Sequence, residues 1–191
     1  GSLYFSRDAG QTFEVHEKPE GAIRSVIFAA NKNRVAVAAT STGIYWTQEG
    51  GYGNSWHHVT VGSDTGAVKV MQDPDNPNVV WAVMRDGVYR SEDLGVEEVG
   101  KAWTKVSRPF PEAATLFYGV RPGSNAMIYA TSGGKMYHHA VGAASWSVAP
   151  RSAEEYHILP VFTDIIVSPT DPNTAFFLLN LNVWGRDLKF V

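Results

Sequence analysis

The stretch "LYFSRDAGQTF", Leu3 to Phe13, places Ser6, Asp8 and Gly10 at alternate positions behind a short apolar run and closes on an aromatic. Alternate residues of a strand share a face, so Leu3 and Phe5 are predicted to be buried while Tyr4 and Ser6 face the other way, toward a neighbouring unit. After Ser6 the chain must reverse. An Asp in such a turn accepts hydrogen bonds from nearby backbone N–H groups, a Ser hydroxyl does so more weakly, and Gly tolerates the positive φ of a tight turn. The returning Phe13 is predicted to pack back into its own unit, contributing on the order of 1.5–3 kcal/mol if fully buried.

The stretch recurs. Tyr4, Tyr45, Tyr89, Tyr137 and Val183 lie 41, 44, 48 and 46 residues apart, and each opens a comparable pattern. The second copy, "GIYWTQEGGYGNSW", sets Thr47, Glu49 and Gly51 in the places of Ser6, Asp8 and Gly10, with Trp56 closing it. The third keeps Ser91, Asp93 and Gly95 and inserts residues before Trp103; the fourth retains Tyr137 and Trp146 without the Asp; the fifth keeps Asp187. A second signal runs in phase, since about fifteen residues before each later anchor stands a turn: "AANKNR", "DPDNPN", "RPGSN" and "SPTDPN". Strand-like runs flank every turn ("IRSVIFA" and "VAVAAT", "AVKVMQ" and "VVWAVM", "TLFYGV" and "MIYATS", "TDIIVS" and "AFFLLN"). One unit therefore reads strand, turn, strand, Gly-containing turn, strand, Asp-type turn, strand. Four antiparallel strands in 40 to 48 residues is the period of a β-propeller blade.

Composition agrees with an all-β chain. The 191 residues are 44% hydrophobic, 12% aromatic and 18% charged, with eighteen glycines and a formal net charge of −3. Sixteen Lys and Arg, scattered along the chain, form no broad basic surface, which argues against nucleic acid as a partner. The absence of cysteine removes disulfides, thiolate metal sites and thiol catalysis. No apolar run approaches the ~20 residues of a membrane-spanning helix, and no Asn stands in an Asn-x-Ser/Thr glycosylation sequence.

The pattern Ser-x-Asp-x-Gly-x-x-Phe/Trp, complete in Ser6, Asp8, Gly10 and Phe13, resembles the Asp-box or BNR repeat. That family implies an all-β propeller of four-stranded antiparallel blades, with each box at the turn between third and fourth strands. It includes sortilin-type receptors, xyloglucanase-type glycoside hydrolases, photosystem II assembly factors and sialidases, and in all of them the box is a structural turn, usually opposite the ligand face. The resemblance slightly favours a secreted or membrane-trafficking lumenal setting. By strand arithmetic, residues 1–191 form one propeller segment, with a partial blade at 1–17, blades at about 22–61, 66–108 and 114–149, and a partial blade at 161–191. About four blades' worth is smaller than propellers of these families, so the chain is expected to be part of a larger one, with edge strands open to association.

Chemistry is less well marked. The Arg-Ile-Pro signature of sialidases is absent. A glycosidase needs two carboxylates about 5 to 9.5 Å apart across a cleft, and Asp64, Asp86, Asp164, Glu154 and Glu155 are the candidates, though Asp is also the ordinary turn residue. His57-His58 and His138-His139 are adjacent strand residues that point to opposite faces, so neither pair reads as a metal site. The acidic run Glu92, Asp93, Glu97, Glu98 lacks calcium-loop spacing. No cofactor or metal is implied. The face away from the boxes would carry Arg85, Asp86, Asp64, Ser132, Asn180, Asn182, and Tyr156 and His157 of the long "PRSAEEYHILP" segment. These residues point first to a noncatalytic recognition or scaffold module for protein or peptide partners, of sortilin-like type. The alternatives are a carbohydrate-active enzyme of xyloglucanase type, echoed in "DPDNPNVVWAVMRDGVYRS", and a photosystem II assembly factor.

Overall fold

A computed structural model describes residues 3–32, 34–62, 66–93, 103–107, 109, 117–132, 135–148, 161–167 and 175–180. Every regular element among them is a strand. The first ribbon pairs β1 (Leu3–Phe5) with β2 (Glu14–His16). The first complete blade has the order β3 (Ile23–Phe28), β4 (Ala36–Thr40), β5 (Gly43–Thr47), β6 (His57–Val59). The second runs β7 (Ala67–Gln72), β8 (Val80–Met84), β9 (Gly87–Ser91), β10 (Thr104–Lys105). The third runs β11 (Phe117–Arg121), β12 (Met127–Ser132), β13 (Lys135–Ala140), β14 (Ser147–Val148). A last pair joins β15 (Val161–Val167) to β16 (Ala175–Asn180), and all pairings are antiparallel. These are propeller blades. The first strands of successive blades meet: Ser25 Oγ donates to Val70 O at 3.2 Å and Arg24 donates to Ala67 O at 3.0 Å.

The second strands show why the blades hold together. In β8, Val80, Ala82 and Met84 belong to the apolar cluster shared with the first blade, while Trp81 and Val83 belong to the one shared with Val120, Ala126 and Ile128 of the third. Successive side chains leave a strand on opposite faces, and here both faces are covered. That is why "VVWAVM" is a continuous apolar run rather than an alternating one.

The same logic corrects the expected destination of the closing aromatics. Trp56 is half-buried and donates from Nε1 to Glu17 O, just after β2, at 2.9 Å. Trp103 packs on the first cluster and Trp146 on the second, so each aromatic seals the joint with the preceding blade, not the interior of its own. Phe13, with no preceding blade against it among the described residues, is 62% exposed, its ring end 3.9 Å from where a Cβ on Gly10 would stand. The expectation that Phe13 is buried in its own unit is therefore overturned. Tyr4 repeats the contrast: it is 61% exposed, whereas its repeat equivalents Tyr45, Tyr89 and Tyr137 are 5–6% exposed.

Candidate functional site

The box-like turns differ in chemistry. In the first, Ser6 Oγ donates to Asp8 Oδ1 at 2.9 Å and accepts from Gly10 N at 2.7 Å. Asp8 also accepts from Thr12 N at 2.8 Å and from Thr12 Oγ1 at 2.6 Å. The Thr12 hydroxyl foremost, then its backbone N–H and the Ser6 hydroxyl, lower the Asp8 pKa to about 2. In the second turn the hydroxyl does the work: Thr47 Oγ1 accepts from Glu49 N at 3.1 Å and Gly51 N at 3.4 Å, while the Glu49 carboxylate lies 3.7 Å from Arg34. In the third, Ser91 Oγ accepts from Asp93 N at 3.4 Å and donates to Asp93 O at 3.1 Å. Gly95 and Asp187 lie outside the described residues.

Two faces follow from the contacts. On one, the turn after β4 meets the segments entering and leaving its blade: Ser41 Oγ accepts from Ala22 N at 2.9 Å, and a Cβ on Gly66 would stand 2.5 Å from Ser41 O. Arg85 and Asp86 lie on this side, in the turn after β8. Arg85 is exposed; Asp86 accepts from Tyr89 OH at 2.7 Å and lies 3.5 Å from Lys105 Nζ. Asn180 ends β16, while Asp64, Asn182, Tyr156, His157, Glu154 and Glu155 lie outside the described residues. Of the sequence candidates for a ligand face, the structure brings together Arg85 and Asp86 alone among the described residues. His57 and His58 separate as strand neighbours should, with ring centroids 4.9 Å from Trp46 and from Tyr45 respectively. His139 is buried against Trp146 at 4.3 Å.

The opposite face carries the box-like turns, where Gly50 N donates to Arg34 O at 2.8 Å. Here Asp73, at the head of "DPDNPN", is 6% exposed and takes four donors: Asp75 N at 2.9 Å, Asn76 N at 3.1 Å, Trp81 Nε1 at 2.7 Å and Gly123 N at 3.0 Å. Asp75 accepts from Ser124 N at 2.6 Å, and that backbone N–H, then the Ser124 hydroxyl, holds its carboxyl below the usual range. The first two blades are joined at the matching place, Asn31 Nδ2 donating to Asn78 Oδ1 at 2.8 Å.

Beside the Asp73 latch opens a groove of about 450 Å³, lined by Trp81, Arg90 and Val106 of the second blade and by Arg121, Met127 and Val141 of the third. The Arg90 guanidinium sits 5.6 Å over the Trp81 ring and pairs with Glu92 at 2.5 Å. Arg121 donates to Asn125 O, and its Nε is buried without an acceptor among the described residues. A second groove, about 500 Å³, runs between residues 17–20 and the outer side of the first blade past Tyr45, Trp56 and His58. Sequence reasoning missed Asp73 as a latch because its partner Gly123 lies 50 residues away, and missed both arginines because they meet in one groove only once the second and third blades pack. The one available signal was the repeated turn in phase, which puts Asp73 opposite residues 121–125.

No family model matches the chain, and no curated protein matches it. Among solved structures, an ancestral GH74 enzyme superposes with a TM-score of 0.65 at 18% identity, over 93% of this chain and 26% of that one. YCF48 from Cyanidioschyzon merolae superposes at 0.57 with 15% identity, over 94% of this chain and 58% of that one. The chain thus spans about a quarter of the first protein and somewhat more than half of the second. The likeness is one of fold: a β-propeller.

Proposed function

We propose that the chain is a noncatalytic recognition or scaffold module that binds protein or peptide partners, as its sortilin-like resemblance implies. The observation that carries this reading is the division of labour among charged groups. Asp8, Asp73 and Asp75 are each engaged by the protein's own donors, which is the work of turn and latch residues, and Asp86 accepts from Tyr89 through Oδ2 while its Oδ1 is buried without a partner among the described residues. The inter-blade groove presents two arginines, of which Arg90 is paired with Glu92 and Arg121 has no carboxylate partner among the described residues, together with apolar side chains, a lining suited to holding a polypeptide. Two other readings have support. The superposition on a GH74 enzyme favours a glycoside hydrolase of xyloglucanase type, and that on YCF48 accords with an assembly-factor role like that of the photosystem II factors.

The test is incubation of the protein with β-glucans and xyloglucan oligosaccharides, with product analysis, alongside cross-linking to protein partners. No hydrolysis and specific protein adducts are expected. Turnover that disappears in Asp86→Asn while the fold persists would overturn the noncatalytic reading.

A further inference from the structure

The groove between the second and third blades is a mixed surface, and its two cations are in different states. Arg90 is clamped over Trp81 and already holds a carboxylate, that of Glu92, which is itself exposed at the rim. Arg121 makes one hydrogen bond, to Asn125 O, and has no carboxylate partner among the described residues. A guanidinium presents five N–H donors in a planar fork that matches a carboxylate. Glu92 therefore shows what Arg90 accepts, and Arg121 is the position left for a second carboxylate. In the same groove Val106, Met127 and the 38% exposed Val141 offer apolar contact.

From this complementarity, and resting on the recognition reading above, we infer that the groove binds a short peptide segment in which acidic and aliphatic residues alternate. Arg121 anchors one acidic side chain. Arg90 takes another in competition with Glu92, and Val106, Met127 and Val141 receive the aliphatic groups. A purely acidic chain would leave the apolar lining uncovered, and a purely apolar one would bury Arg121 without a counter-charge, which is costly.

The experiment measures fluorescence anisotropy of labelled octapeptides of alternating Glu and Val, Gln and Val, or Lys and Val, with wild-type protein and folded variants. The Glu–Val peptide should bind, more weakly at higher salt, and the other two should bind at least tenfold more weakly. Arg121→Gln should weaken Glu–Val binding about tenfold, a loss that Arg121→Lys recovers in part. Arg34→Gln, on the same face but in the first blade, should leave it unchanged. Glu92→Gln frees Arg90 and should tighten binding about threefold, a gain that a misfolded variant could not produce. In NMR spectra the Arg121 Nε–Hε resonance should shift on binding. Equal binding of the Gln–Val peptide, or wild-type affinity in Arg121→Gln, would overturn the site while leaving the recognition reading standing. No binding of the Glu–Val peptide by the wild type would likewise remove the site. Xyloglucan turnover in the assay above would instead remove the recognition reading itself.

Discussion

Asp8 collects donors from Ser6 and Thr12 within a span of seven residues, and Thr12 supplies two of the three. Hydrogen bonds to the ionised form depress the pKa, here from 3.8 to about 2. The unfolded chain therefore binds more protons than the folded one between those values, and stability rises with pH across that window. The contribution is complete above pH 3.8 and is lost as pH falls through about 2. Asp8→Asn should flatten the fall in Tm between pH 4 and pH 2, and Thr12→Val should move the Asp8 titration upward in a carboxyl-detected NMR experiment. An acid limb of unchanged slope in Asp8→Asn would refute the assignment. Ser6, Asp8 and Gly10 were legible because turn chemistry is local. Thr12 was not, since the weaker copies carry Gly53 and Glu97 at the corresponding places and the comparison between copies hid it.

At the scale of elements, the turn between β7 and β8 and the segment leaving the first blade fix how blades meet. Asp73 reaches both within its turn and across to Gly123 N, so its loss strands a buried donor at Trp81 Nε1 and a half-buried one at Gly123. Asp73→Ala should cost about 3 kcal/mol in urea unfolding, and Trp81→Phe in that background should cost less than it does alone. Additive losses would show that the latch is not a unit. Gly66 has φ +83 and no room for a Cβ beside the Ser41 carbonyl. Gly66→Ala should destabilise by at least ~2 kcal/mol, from left-handed strain plus backbone displacement, and a neutral change would refute the close approach. The strands themselves could be read from sequence because β4, β8 and β12 are largely apolar runs bounded by turn residues, "AANKNR" and "STG" around the first, "DPDNPN" and "RDG" around the second, "RPGSN" and "GG" around the third. The groove could not: Arg90 and Arg121 are 31 residues apart, and nothing in either local stretch says that they share a cavity.

Across the whole molecule, burial belongs to the joints between blades more than to the blades. Tyr89 lies under Gly62 of the preceding blade's exit segment, where a Cβ would fall 2.1 Å from its hydroxyl, while Tyr4, in the same place in its own unit, stands in solvent. The first apolar cluster joins Val37, Ala39 and Ile44 of the first blade to Val80, Ala82 and Met84 of the second; the next joins Trp81 and Val83 to Ile128 of the third. A blade that shares its core with both neighbours should not open alone, which separates this chain from a string of independent hairpins. Met84 is 1% exposed and sits in the shared cluster. Met84→Ala should cost about 2–5 kcal/mol and should lower native-state hydrogen-exchange protection in β4 as much as in β8, although the substitution lies on β8. The β1–β2 ribbon, with Tyr4 and Val15, and Phe13 in the turn between its strands, all more than 60% exposed, should exchange fastest in both proteins. If β4 kept its protection while β8 lost it, the first joint would not be the cooperative unit, and stability would reside within single blades.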